Sequence, residues 1–329
     1  MLSLNRVSKF YKVGTFGGKE LVAVRDVSFD VDEGEVVSLI GESGSGKTTI
    51  GKMVLKLIEI SRGSITCDGT DVAGIHGGAV KSYYRHVQGV FQDPFSSYNP
   101  IFKADRVFGM IRGEYFADMA RSEWSDKVEG ALRAVALEPD QVLNKYPHQL
   151  SGGQLQRLLV ARALLLELKF LVADEIISML DASTRIDVLN LLAELKGRGM
   201  GILFITHDLS LGNYISEKTV ILRRGAVVEM GATDKVFGNP THPYTKVLIS
   251  SVPQLHKKWA DVEAEIQARG GDASGTCLFH QAYPPTVKAT GKATAKAGDG
   301  ADVAPTLVKV EEDHFVGCFD LGEGTCRVA

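Results

Sequence analysis

Residues 36–52, "VVSLIGESGSGKTTIGK", run from a largely apolar stretch through a glycine-rich turn into a segment with helical character. The run from Val36 to Ile40, apolar but for Ser38, is what a strand covered on both faces requires. Gly41 to Thr48 fits G-x-x-x-x-G-K-[ST], and the strand before it and helix after it supply the context that gives the pattern meaning. Glycines allow positive φ and close backbone approach, so successive N–H groups can converge on phosphate oxygens. A helix starting near Lys47 adds its positive end. Lys47 is expected to reach the β- and γ-phosphates of a nucleotide, and the Thr48 hydroxyl to ligate Mg²⁺. The residues expected to line this loop are Gly41, Ser43, Gly44, Ser45, Gly46, Lys47, Thr48 and Thr49. The competing reading is a glycine-rich turn beside a surface lysine.

The rest of the chain must supply a fold around that loop. Val22, Val24, Val27, Phe29 and Val31 give a strand-like pattern that breaks at the turn Asp32-Glu33-Gly34. "FLVADE" and "GILFITHD" read as two further buried strands, with a helix, "ASTRIDVLNLLAELKGRG", between them and a glycine stop at its end. Residues 93–149 read as largely helical, and a helical pattern runs from Ser151 to about Leu168. "TVILRRGAVVEMG" reads as a hairpin about Arg224-Gly225. Strands alternating with helices predict an α/β fold with a largely parallel sheet covered on both faces. Beyond Ser250 the texture changes. Residues 285–305 are Ala/Gly/Lys/Thr/Pro-rich and read as a flexible loop between the core-forming flanks "CLFH" and "HFVGCFDL".

Composition narrows the function classes. A chain of 329 residues, 44% hydrophobic and 23% charged, can bury a sizeable core. Its net charge of −3 provides no basic field for nucleic acid. The most apolar stretch, residues 158–173, contains Arg162, Glu167 and Lys169 and falls short of the roughly 20 apolar residues a membrane helix needs. No N-terminal signal segment is visible, so a soluble chain is expected. Four cysteines without a dense framework suit a reducing cytoplasm.

Two more stretches carry chemistry. "FLVADE" places Asp174 and Glu175 at the C-terminal end of a strand, the edge where ligands sit in a parallel sheet. Asp174 is expected to hold Mg²⁺ through water, and Glu175 to polarise the attacking water as general base. "LSGGQLQR", residues 150–157, opens a helix with a serine and two glycines, a second anion-binding device. One chain needs only one phosphate loop, so the second points to a site shared between two chains.

Here the sequence resembles the ATP-binding-cassette ATPases, whose signature is LSGGQ; the resemblance covers about residues 2–250. It implies a P-loop NTPase fold: a RecA-like core with a mixed sheet, an antiparallel β subdomain, a helical subdomain at about 93–165, and a small C-terminal extension at 251–329. It implies two subunits sandwiching two ATP molecules head to tail. Ser151 and Gly153 of one would then face the γ-phosphate held by Lys47 of the other, with Gly152 and Gln154 also among the nucleotide-binding residues. Gln92, in "GVFQDP", matches the glutamine that senses Mg²⁺ and the lytic water, and His207, in "ITHD", the histidine that contacts the γ-phosphate. Asp181, in "SMLD", matches the loop linking the two sites, and Tyr11 the aromatic that stacks on adenine, with Phe10 as the fallback. One departure is visible: Ile176 follows the expected base, where the family usually has proline. Proline would stiffen that turn, but its loss touches no catalytic atom.

"YPHQLSGGQLQR" and "NPTHPYTKVLISSVPQL" (239–255), with His242-Pro243-Tyr244, resemble the oligopeptide/dipeptide-type importers. That class implies a second ATPase subunit, with a heterodimer preferred over a homodimer. It also implies two transmembrane permeases, an extracytoplasmic solute-binding protein, and a place on the cytoplasmic face of the membrane. Peptides and oligosaccharides both remain open as cargo. The class often carries Cys-x-Phe-x-x-Arg-Cys-Pro in its extension; here Cys277 is kept but Tyr283 stands where the second cysteine would be. With Cys277, Cys318 and Cys326 alone a four-cysteine iron–sulfur cluster cannot form. Cys277-x-x-His280 and His314-x-x-x-Cys318 have metal-ligand spacing, leaving a zinc site as the alternative to a metal-free extension with partner-satisfied histidines. The rival functions are a soluble cassette ATPase acting on ribosomes or DNA and a non-hydrolysing interaction subunit.

Overall fold

The computed structural model describes residues 1–13, 19–178, 180, 182–252 and 305–318. The chain divides into two compact units, Met1–Val31 with Val36–Ala73 and Ile205–Ala329, and Asp32–Glu35 with Gly74–Phe204.

The first unit holds an antiparallel sheet in the order Lys19–Val31, Leu2–Val13, Arg62–Cys67, Thr70–Asp71. The apolar spacing of its longest strand changes phase, from Val22 and Val24 to Val27, Phe29 and Val31. The structure accounts for the extra residue. Register shifts flank Val7↔Val27, and Asp26 takes a left-handed φ of 47°, so a β-bulge returns the later valines to the buried face. The bulge is tied down where Ser8 Oγ accepts from Asp26 N at 2.9 Å. Val24, Val27 and Val31 are fully buried.

The same unit contains Val36–Ile40 running parallel to Lys218–Arg223, which forms an antiparallel hairpin with Ala226–Ala232 about Arg224-Gly225. All five residues of Val36–Ile40 are buried, each aliphatic contributing roughly 1.5–3 kcal/mol by leaving water. Ala226–Ala232 pairs in turn with His314–Cys318, and that strand with Thr306–Glu311, both antiparallel. "HFVGC" of the expected core-forming flank is therefore an edge hairpin on the sheet that carries the glycine-rich loop. Ile40, Leu209, Ile221, Val228, Val236 and Tyr244 form one core cluster of this unit.

The second unit is mainly helical: Gly78–His86, Arg106–Tyr115, Arg121–Ala134, Pro139–Val142, Gly152–Leu164 and Ala182–Gly197. It also carries the parallel pair Val87–Val90 and Phe170–Asp174. The helix expected to reach about Leu168 stops at Leu164. Leu165 and Leu166 are buried in the following turn, so their apolar character serves packing rather than helix continuation. Among the described residues no helix is long and apolar enough to cross a membrane.

Candidate active site

The glycine-rich loop leaves the C-terminal end of Val36–Ile40 and enters the helix Lys47–Val54 through Gly46, whose φ of 103° is left-handed. Gly41 is required by space: a Cβ there would lie 2.1 Å from the Leu222 carbonyl oxygen and 2.8 Å from Ser45 Oγ. The back of the loop is fixed by the 218–232 hairpin, since Gly225 N donates to Ser45 O at 2.9 Å. Its front is open, with Ser43, Gly44 and Thr48 exposed. Lys47 is buried and folds back over the loop, its Nζ donating to Gly41 O at 2.7 Å and Glu42 O at 2.9 Å. No acidic residue occupies the first helical turn, so nothing competes with an anion for the leading N–H groups. Ser45 Oγ is buried without a hydrogen-bond partner. Together these residues fit a bound phosphate group.

Two other expected residues lie in this unit. Tyr11 is exposed on the strand Leu2–Val13, with Lys9 Nζ 5.2 Å from its ring centroid. Phe10, its neighbour, packs against the Arg62 guanidinium at 5.0 Å. His207 is exposed after the strand Gly201–Thr206. The backbone beyond it is pinned, because Asp208 N donates to Thr206 Oγ1 and Asp208 Oδ1 accepts from Ser210 N and Leu211 N.

The second unit carries the carboxylates. Val90 registers with Ala173 in a parallel pair, so Gln92 and the Asp174–Glu175 pair emerge from the same strand edge. Asp174 is buried, whereas Gln92 is exposed. Glu175 sits at φ 50°, a left-handed conformation that costs roughly 1–2 kcal/mol for a residue with a Cβ. Its carbonyl is held by Ser178, which donates from N at 3.1 Å and from Oγ at 2.9 Å. Ile176 and Ile177 are buried behind it, so apolar anchoring stands where proline would stiffen the turn.

Ser151 caps Gly152–Leu164 in a reciprocal box: its Oγ accepts from Gln154 N at 3.2 Å, and Gln154 Oε1 accepts from Ser151 N at 2.9 Å. As an acceptor in the cap, the Ser151 hydroxyl still has its own proton to donate. The same helix grips the segment before Gln92, with Arg162 Nη2 donating to Gly89 O at 2.9 Å and Gln156 Nε2 to Phe91 O at 3.3 Å. Burial lowers the Arg162 pKa, and the neighbouring Tyr98 opposes that shift. The sequence alone assigned no role to Gln156 or Arg162, because a residue bonded to a backbone 65 or 73 positions away leaves no local pattern.

Each unit thus carries its own part of the expected set. Tyr11, Gly41–Thr49 and His207 lie in the first, and Gln92, Ser151–Gln154, Asp174 and Glu175 in the second. Asp181 lies outside the described residues, as do Cys277, His280, Tyr283, Cys326 and the loop 285–304.

The stretch after residue 225 adds a buried polar network to the first unit. Glu229, fully buried, accepts from Thr241 N at 2.8 Å, His242 N at 3.0 Å and His314 Nε2 at 2.8 Å. The other ring nitrogen of His314 pairs with Glu311 at 2.9 Å, so both are committed to carboxylates, as the partner-satisfied reading of this histidine expects. His242 Nδ1 accepts from Tyr244 N at 3.0 Å and caps the helix Pro243–Ser250.

The comparisons with known proteins follow these features. Residues 24–178 match the family model of ABC transporters, and residues 228–284 that of the oligopeptide/dipeptide transporter C-terminal region. A putative peptide import ATP-binding protein of Brucella ovis is 37% identical over 327 residues, covering 97% of each chain. The chain belongs to the ABC transporter family. The oligopeptide transport ATP-binding protein OppF of Streptococcus mutans is 39% identical across 77% of this chain and 82% of its own. A dimeric, post-hydrolysis ATP-binding cassette bound to ADP and Pi superposes with a TM-score of 0.64 at 28% identity, over 71% of this chain and 99% of its own. The protein is therefore an ABC ATPase and the ATP-binding subunit of an oligopeptide-type importer. Within the ABC ATPase, the Thr48 hydroxyl and the Asp174 carboxylate are hard oxygen donors of the kind Mg²⁺ takes.

Proposed function

We propose that this chain hydrolyses ATP at sites shared between two cassettes and couples that cycle to peptide uptake through membrane permeases. Similarity to a peptide import ATP-binding protein over 97% of both chains carries the reading. The match of residues 228–284 to the oligopeptide-type C-terminal region supports it. Oligopeptides or dipeptides are the proposed cargo, with oligosaccharides as the other solute class of such importers.

In this reading Lys47 and the N–H groups of Gly41–Thr49 hold the β- and γ-phosphates, and Tyr11 stacks on adenine. The Ser151 hydroxyl and the Gly153 N–H of the opposite cassette donate to the γ-phosphate from the helix start, with Gly152 and Gln154 beside them. Glu175 accepts the proton of the attacking water, His207 steadies the γ-phosphate, and Gln92 orients that water. Thr48, Asp174 and Gln92 would hold Mg²⁺, which would supply positive charge to the phosphate oxygens. Asp181 connects the two sites. The opposite cassette is proposed to be a homologous second subunit. Two permeases and an extracytoplasmic solute-binding protein complete the assembly at the cytoplasmic face of the membrane.

The test is to tag the chain in its native host, solubilise the membranes gently and identify what co-purifies. Two permeases, a second ATPase and a binding protein are expected. Recovery of ribosomal or DNA-associated proteins alone would overturn the transport role and leave the ATPase chemistry in place.

A further inference from the structure

Tyr244 and Glu42 are 202 positions apart, yet the Tyr244 hydroxyl accepts from Glu42 N at 3.3 Å. Glu42 lies in the phosphate loop, and its carbonyl is one of the two that receive Lys47 Nζ. The Gly41–Glu42 peptide unit therefore links the C-terminal segment to the lysine of the loop: phenol to Glu42 N–H, and Gly41 C=O to Lys47 Nζ at 2.7 Å.

Everything around that phenol restrains it. Its ring belongs to the core cluster with Ile40, Leu209 and Ile221. The Arg223 guanidinium stands 4.6 Å from the ring centroid. Its backbone N–H is held by His242, whose own N–H is held by Glu229. Burial foremost, and then the Glu42 carboxylate, push the phenol pKa up to about 12, against the pull of the Glu42 N–H and Arg223. The hydroxyl is thus neutral at physiological pH and keeps both its lone pairs and its proton.

We propose that Tyr244 is a positioning residue for the phosphate loop, setting the Gly41–Glu42 peptide unit and through its carbonyl Lys47, so that the C-terminal segment tunes nucleotide affinity. It touches no reacting atom. Its contribution is to binding shared by ground and transition states, which appears in KM rather than kcat. The proposal rests on the ATPase reading of the loop.

The experiment compares full-length wild type, Tyr244→Phe, Thr245→Ala and Lys47→Ala. It measures the Kd for Mg-ATP by calorimetry, steady-state ATP turnover, and the Tm without nucleotide. Tyr244→Phe keeps the ring and removes only the hydroxyl. The expected result is a three- to ten-fold rise in Kd and KM, kcat within two-fold, and a Tm within about 2 °C of wild type. Thr245→Ala alters packing in the same helix, where Thr245 is fully buried, without touching the phenol. It is expected to leave Kd unchanged even if Tm falls. An unchanged Kd in Tyr244→Phe would overturn the proposal, as would an equal rise in Thr245→Ala, which would reduce the effect to helix stability. If Lys47→Ala bound and hydrolysed ATP like wild type, the phosphate-loop reading itself would fail, whatever Tyr244→Phe shows.

Discussion

At the residue scale, two glycines of one loop should respond differently to alanine. Gly41→Ala drives a Cβ to 2.1 Å from a backbone oxygen, which cannot swing away as a side chain would. Gly44 has a φ of 79° but nothing within 4 Å of a built Cβ. Gly44→Ala should therefore cost about 1–2 kcal/mol, and Gly41→Ala more than about 4 kcal/mol, read from chemical denaturation of the two variants. Glu175→Gln keeps the shape of the side chain but removes its basicity. ATP turnover should drop by about 10²–10⁴-fold while nucleotide binding survives. Turnover near wild type in a filter-purified sample would withdraw the general-base role. The glycine spacing and the acidic pair were legible beforehand because each depends on a handful of adjacent residues. The left-handed φ of Glu175 was not, since it depends on the burial of Ile176 and Ile177 and on Ser178 folding back onto its carbonyl.

At the element scale, Ser151 is both an expected phosphate contact and the N-cap of Gly152–Leu164. Ser151→Ala should cost about 1 kcal/mol in unfolding free energy through the lost cap. It should also lower turnover by more than that loss explains, because the hydroxyl proton would go with it. Ser151→Thr keeps cap and hydroxyl and should restore most stability; if turnover followed stability alone across the pair, the hydroxyl would have no part in the reaction. Periodicity in the sequence carries the kind of each strand and helix here. Periodicity overruns the end of this helix by four residues, because Leu165 and Leu166 continue an apolar pattern that packing, not helix geometry, demands.

At the scale of the whole molecule, the Glu229–His314–Glu311 network ties the edge hairpin to the sheet of the first unit. His314→Ala removes the side-chain partner of a fully buried carboxylate and should cost about 3–5 kcal/mol. Adding Glu229→Gln should recover part of that loss in a thermal unfolding series; a strictly additive double variant would show that the two do not interact. Alkali offers a second check. Burial holds the Tyr244 phenol near pH 12 and raises the Tyr98 phenol as well, against an ordinary value of 10.0. The contribution of both neutral phenols is complete below about pH 10 and is lost as pH rises through the folded values. Unfolding free energy should fall above pH 10, and less steeply in Tyr244→Phe.

The amino-acid order by itself determined the phosphate loop, the strand-end carboxylates, the serine-capped glycine pair and the cassette they belong to. All of these are built within about ten consecutive residues, where backbone geometry and side-chain chemistry act locally. The tertiary structure alone decided that the segment after residue 225 is bound into the loop's own unit, through hydrogen bonds spanning 85 residues from His314 to Glu229 and 202 from Tyr244 to Glu42. A hydrogen bond between distant groups imposes no period and no spacing on the chain between them. It becomes visible only when folding has brought its two ends together.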